Sequence, residues 1–148
     1  MIGLLQRVSE SSVSVDEQTI GKIDKGLMVL IGVERDDNEQ SAKRLLERIL
    51  TYRVFPDELG KMNLSVKDIK GGLLLVPQFT LAADTQKGTR PGFSSAAAPE
   101  TAKQQFSDFV ALAEQQFPNV ASGAFGADMK VHLINDGPVT FWLRVEPK

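Results

Sequence analysis

The 148 residues predict one α+β domain, 1–148, in which an extensive, mainly antiparallel sheet forms barrel-like β layers covered by two helices, a three-layer β/β/α arrangement. Three observations predict it. Short runs alternating apolar and polar residues dominate both ends of the chain. Only two windows switch to the helical period. Turn residues punctuate the junctions, and no repeat, linker or low-complexity tract divides the chain.

Taken in order, Leu4 to Val8 and then Ser11, Val13 and Val15 read as short strands, and Asp16-Glu17-Gln18 turns the chain into Thr19 to Ile23. Gly21 and Gly26 bracket a second turn. Leu27 to Val33 is almost continuously apolar and short, which predicts a strand buried on both faces at the centre of the sheet. At Asp36-Asp37-Asn38 the period changes. An Asx cap precedes Ala42, Leu45, Leu46, Ile49 and Leu50 on one helical face, while Lys43, Arg44, Glu47 and Arg48 take the other and read as solvated surface.

Val54-Phe55 starts a strand that Pro56 to Gly60 ends, Leu64 to Ile69 reads as a short helical turn, and Leu73 to Val76 as a strand. The polar loop from Asp84 to Ser95 is long enough that it is expected to be functional or mobile. Pro99 suits the first turn of a helix whose stripe of Ala102, Phe106, Phe109, Val110, Ala113 and Phe117 stops at Pro118. Ser122 to Ala127 is small and loop-like. The end of the chain predicts a hairpin: Val131 and Leu133 alternate with Lys130, His132 and Ile134, then Val139, Phe141, Leu143 and Val145 alternate with Thr140, Trp142 and Arg144. Asn135-Asp136-Gly137-Pro138 is the turn between them.

A net charge of −2 gives no sequence-wide basic field, so any nucleic-acid partner must be held by local contacts. The absence of cysteine excludes disulfides and thiolate nucleophiles, and the single histidine, His132, excludes multi-histidine zinc sites. No metal or cofactor is expected. The longest apolar run is too short to span a bilayer and Met1 to Arg7 lacks the regions of a signal peptide, so a cytoplasmic protein without a membrane partner is expected.

His132 points away from the face that Val131 and Leu133 are expected to bury, and no serine is paired with it by sequence. Asp36, Asp37 and Asp57 are explained as caps and turn residues, and Asp84, Asp128 and Asp136 have no spacing typical of a carboxylate pair or an ion site. What remains is Thr80 at a strand end, beside turns rich in exposed backbone. Backbone N–H groups aimed at a developing oxyanion can carry catalysis on a substrate that is already reactive. Taken alone, the Asn135 to Pro138 turn only reverses the chain.

Gln78-Phe79-Thr80-Leu81 and Asn135-Asp136-Gly137-Pro138-Val139-Thr140, with Gln6-Arg7-Val8, Gly60-Lys61-Met62-Asn63-Leu64, Ala83-Asp84-Thr85 and Phe125-Gly126-Ala127-Asp128-Met129, resemble the D-aminoacyl-tRNA deacylase family, in order and over almost the whole chain. One departure is Pro77, where the family usually has serine. The resemblance implies a cytosolic homodimer with active sites at the subunit interface. Its substrate would be aminoacyl-tRNA, with the ester between a D-amino acid, or mischarged glycine, and the 3′-terminal adenosine being hydrolysed.

By the same resemblance, Gln78, Phe79 and Thr80 are the catalytic positions, and Asn135, Gly137, Pro138, Val139, Phe125, Met129 and Arg7 bind substrate. Gly137-Pro138 would form a cis peptide and project into the other subunit's pocket, its carbonyl oxygens meeting the substrate's α-amino group and leaving no space for an L side chain. Exclusion by collision admits glycine, which has nothing to collide. Phe125 and Met129 would line the adenosine pocket, Arg7 would position the Gly-Pro turn, and Lys87 and Arg90 would reach tRNA phosphates.

Thr80 has two readings: a nucleophile, for which no base is evident, or part of a backbone oxyanion site with Phe79 while the adenosine 2′-hydroxyl assists attack. Pro77 either removes a hydrogen bond from the site or only shapes the strand end. The alternative function is a non-enzymatic homodimer binding a tRNA 3′ end or nucleotide, since stacking residues and Gly-rich turns serve binding as well. A purely structural homodimer and an editing domain for L-aminoacyl-tRNA are further rivals.

Overall fold

The computed structural model describes residues 1–147. Its elements are β1 (Ile2–Val15), β2 (Gln18–Ile23), β3 (Gly26–Gly32), α1 (Glu39–Thr51), β4 (Phe55–Pro56), β5 (Met62–Leu64), β6 (Gly72–Pro77), a 3-10 turn (Phe79–Ala82), α2 (Pro99–Gln116), β7 (Val120–Ser122) and β8 (Lys130–Arg144).

β1 is a single 14-residue strand rather than two short ones, and it organises the sheet. Its first half pairs antiparallel with β3 and its second half with β2, while β8 runs antiparallel along its other side from end to end. This corrects the expected hairpin. Ser14 faces Lys130 and Ile2 faces Arg144, so β8 keeps one direction throughout, and the turn residues form a bulge between the pairs Val8–Asn135 and Gln6–Thr140. Alternation on both sides of a turn looks the same in a hairpin and in a bulged strand. The difference lies in the partner, and β1 is long enough to pair both halves.

From β3 the chain crosses through α1 to β6, and from β6 through α2 to β7; both new pairings are parallel. Parallel neighbours require such crossovers, and their helices cover one face. At the other end of the order β2-β1-β3-β6-β7, the edge strand β2 curls round towards β7. A Cβ added to Gly21 would stand 2.9 Å from the Ser122 carbonyl oxygen, so the sheet is nearly closed into a barrel.

Two cores follow. Val8, Val13, Ile23, Met28, Leu74 and Val76 fill the barrel, while Leu27, Val29, Ile31, Leu73 and Leu75 point outwards against Leu45, Leu46, Ile49, Phe106 and Phe109 of the helices. Neighbouring side chains of β3 and β6 therefore enter opposite cores, as the unbroken apolar runs require. The expected face of β8 is only partly buried: Leu143 is buried and Leu133 half-buried, but Val131 is 36% exposed because it lies at the rim of a cleft.

α1 starts at a capping box in which Asn38 Oδ1 accepts from the Ser41 N–H (3.0 Å) and Ser41 Oγ accepts from the Asn38 N–H (2.9 Å). Before it, the Met1 ammonium donates to Glu34 Oε2 (2.9 Å), Asp37 Oδ1 (2.6 Å) and the Val145 carbonyl (2.7 Å), and Arg144 closes on Glu34 at 3.0 Å. These bonds tie the start of β1 and the end of β8 to the loop after β3. Burial pushes the Glu34 carboxyl up, but Arg144 and the ammonium outweigh it and hold the group below its ordinary value.

Candidate active site

β6 delivers Pro77, buried, as its last residue opposite Ile31, and the Gln78 N–H extends the ladder to the Ile31 carbonyl (2.8 Å). The chain then tightens into the 3-10 turn, closed by Leu81 N–H to the Gln78 carbonyl (3.2 Å) and Ala83 N–H to the Thr80 carbonyl (3.1 Å). The first N–H groups of such a turn, those of Phe79 and Thr80, have no acceptor behind them within it. Both residues are exposed.

Beside this turn lies a cleft of about 470 Å³, lined by Pro77, Gln78, Phe79, Phe125, Met129 and Val131 among others. Four of the expected site residues thus meet in one place. Gln78 Nε2 donates to Thr80 Oγ1 (2.5 Å), and among the described residues no acid, histidine or lysine is hydrogen-bonded to that hydroxyl. Phe125 packs at the edge of the main core, and Met129 Sδ accepts from the Ala124 N–H at 3.4 Å, drawing the loop after β7 into the wall.

The Phe79 ring is 57% exposed and tilts against Phe93, with centroids 5.3 Å apart. Phe93 was not among the expected residues. It belongs to the long polar loop, whose base is fixed by reciprocal backbone bonds between Asp84 and Gly92 (2.7 and 3.0 Å), and an aromatic inside so polar a run was the available signal. Lys87 and Arg90 stand on the exposed part of that loop.

The remaining expected residues assemble elsewhere, around the β8 bulge. Arg7 Nη1 donates to the Val54 carbonyl (2.7 Å) and its Nε to the Asp136 carbonyl (3.1 Å), with Asp136 Oδ2 at 3.5 Å from the same nitrogen. From inside the bulge, Asn135 Nδ2 donates to the carbonyls of Arg7 and Val139 (both 3.1 Å), and Thr140 Oγ1 donates to Asn135 Oδ1 (3.2 Å). The Gly137-Pro138 peptide is cis, and Gly137 has φ of 125°, where an L side chain is disfavoured. A Cβ there would also stand 2.9 Å from Arg7 Nη2 and 2.8 Å from Val139 Cγ2. Gly137 and Pro138 are exposed.

One chain does not bring the bulge to Thr80. Along β8, Asn135 is four residues past Val131 at the cleft rim, about 13 Å at ~3.3 Å per residue. Across the sheet, Arg7 pairs with Leu27 and Leu27 with Leu73, four residues before Pro77. Among the described residues, no group of three or more His, Asp or Glu side chains is placed to hold a metal ion, and no helix is long and apolar enough to cross a membrane.

Residues 4–144 match a family described as D-Tyr-tRNA(Tyr) deacylase. The D-aminoacyl-tRNA deacylase of Alkalilimnicola ehrlichii is 61% identical over 147 residues, covering 99% of this chain and 98% of that protein. That of Dichelobacter nodosus is 59% identical over 145 residues, covering 98% and 100%. Among solved structures, a c-Myc DNA unwinding element binding protein superposes with a TM-score of 0.95 at 36% identity, covering 99% of both chains. A probable eukaryotic D-amino acid tRNA deacylase shares the fold, with a TM-score of 0.79 at 18% identity, covering 97% and 98%. A family match over residues 4–144 and identity near 60% over almost the whole length of both chains leave one conclusion, that the chain belongs to the D-aminoacyl-tRNA deacylase family.

Proposed function

We propose that this chain is a cytoplasmic homodimeric hydrolase that cleaves the ester joining a D-amino acid, or mischarged glycine, to the 3′-terminal adenosine of tRNA. The observation that carries the reading is the separation of two parts within one chain: a cleft lined by no acidic, basic or histidine side chain, and an exposed, hydrogen-bonded Gly137-Pro138 bulge remote from it. A second copy completes the site if its bulge enters this cleft.

In that arrangement the ester carbonyl lies over the N–H groups of Phe79 and Thr80, which stabilise the oxyanion as water adds to the carbonyl carbon. The adenosine 2′-hydroxyl assists the attack. The bond to the 3′-oxygen then breaks, that oxygen takes the proton, and the free amino acid and tRNA leave. Thr80 serves through its backbone, a role supported by its hydroxyl being engaged by Gln78 and not by a base. Phe125 and Met129 receive the adenosine, the aromatic ring stacking on the base. The partner's Gly-Pro backbone meets the α-amino group and occupies the space an L side chain needs. Discrimination is then steric exclusion, which does not depend on small affinity differences.

A deacylation time course with D-tyrosyl-, L-tyrosyl- and glycyl-tRNA tests this, alongside the solution mass. Release of the first and third but not the second, by a dimer, is the expected result. Hydrolysis of L- and D-tyrosyl esters at equal rates removes the filter, and protection of all three esters leaves a tRNA-end binding protein instead.

A further inference from the structure

The outer face of α1, which read from sequence as solvated surface, carries a second basic feature away from the cleft. Arg44, Arg48, Thr51, Tyr52 and Arg53 line a shallow depression of about 460 Å³ with no acidic residue in its wall. Three guanidinium groups on one short segment are unexpected in a chain of net charge −2. Arg44 reaches Glu47 at 3.0 Å, an exposed pair of the kind that contributes little. Arg48 has no acidic partner among the described residues; it lies over the Tyr52 ring, 5.9 Å from its centroid. Arg53 is exposed, and with the Ser65 hydrogen bonds that come first it helps hold the Asp68 carboxyl below its ordinary value. The negative end of the helix dipole faces the same region, but it amounts to about half a charge against three full ones.

The position of this depression matters. Tyr52 packs on Phe141 of β8 with centroids 5.6 Å apart, and two residues on, the Val54 carbonyl accepts from Arg7, whose other nitrogen holds the bulge. The C-terminal end of α1, with Arg48 and Arg53 on either side of Tyr52, therefore lies on the part of the fold that holds the base of the bulge. Resting on the reading above, in which the Gly137-Pro138 projection enters the partner's cleft, the arginines stand beside the nucleic acid whose 3′ end the partner holds. From Arg44 to Tyr52 the helix advances eight residues, about 12 Å at ~1.5 Å each. That length is on the order of the separation of two or three successive phosphates of one RNA strand. Guanidinium is the group suited to them, being planar, permanently charged and able to donate two parallel bonds.

We infer that Arg44, Arg48 and Arg53 form a phosphate-binding track for the acceptor arm of the tRNA, supplied by the subunit opposite the one that cleaves the ester. The track contributes to binding the RNA and not to the chemistry.

The test compares D-tyrosyl-tRNA with a minimal D-tyrosyl-adenosine ester, using wild-type protein, the Arg48→Ala/Arg53→Ala variant and the matching double lysine variant. For the alanine variant, KM on tRNA is expected to rise on the order of tenfold and the slope of log(1/KM) against log[salt] to become shallower by roughly 1 to 2. Turnover on both substrates and KM on the minimal ester should stay as in wild type, and the lysine variant should recover part of the loss. An unchanged KM and salt slope on tRNA overturns the track, as does an equal loss on both substrates. If wild-type protein hydrolyses neither ester, the catalytic reading itself fails and the track with it.

Discussion

Replacing Arg7 by alanine separates a positioning role at the bulge from mere surface charge. The side chain is 13% exposed and divides its donors between the Val54 carbonyl (2.7 Å) and the Asp136 carbonyl (3.1 Å). Val54 is buried, so its carbonyl loses its partner in a place water reaches poorly, at a cost of about 1–3 kcal/mol. The Asp136 end is half exposed, and after solvent screening its loss adds about 0.5–1 kcal/mol. Together these predict a loss of roughly 1.5–4 kcal/mol and a fall in Tm of about 5–13 °C for a chain of this size.

The functional effect should exceed the thermal one, because a steric filter fails once its wall can yield; a displacement of about 1 Å can cost a hundredfold. Deacylation of D- and L-tyrosyl-tRNA is the assay, and the D-to-L ratio of kcat/KM is expected to fall by at least about tenfold in Arg7→Ala. In Arg7→Lys the stability should return in part and the ratio should not, since one ammonium cannot span both carbonyls as a guanidinium does. A Tm within about 1 °C of wild type together with an unchanged D-to-L ratio would refute the reasoning, the first scale coming from the stability relation used above.

Thr80→Ala should keep turnover on D-tyrosyl-tRNA within about tenfold of wild type, whereas a loss near a thousandfold with KM unchanged would make the hydroxyl the nucleophile. Pro77→Ser should change the deacylation rate by less than about threefold, because the end of β6 is held by Gln78 N–H to the Ile31 carbonyl and not by residue 77; a rise above about tenfold would show that the missing hydroxyl belongs to the chemistry. The Glu34 carboxyl is held below its ordinary 4.5, so its stabilisation is complete above that pH and is lost as the pH falls from there through its lowered folded value. Glu34→Gln should therefore lower stability at pH 7 by about 1.5–3 kcal/mol and flatten the acid side of a urea-midpoint profile, and equal slopes below pH 4.5 in both proteins would exclude this account.

Much of the fold was legible wherever a local pattern determines a local structure. The Asn38 cap, both helical stripes and the doubly buried strand from Leu27 are of this kind. Pairing is different, because it depends on residues far apart in sequence. The continuity of β1 and β8, the parallel neighbours of β6 and the three-residue strands β5 and β7 leave little mark on periodicity. The site divides along the same line. Gln78, Phe79, Phe125 and Met129 were placed by resemblance and do share a cleft, while Phe93 was passed over inside a loop marked only by its length and the arginines of α1 were read as surface, since only tertiary packing gives them neighbours.

The bulge in β8 also fixes its own length. Both flanks are clamped to one strand, so Asn135 and Thr140 cannot drift apart or swivel as the ends of a free loop can. Removing or adding a single residue there would slip one half of β8 by one position against β1, turning Phe141 and Leu143 towards solvent and Trp142 towards the core. Variation among relatives, and any redesign of substrate range, should therefore proceed by exchanging side chains within a constant residue count, with the sheet acting as a ruler.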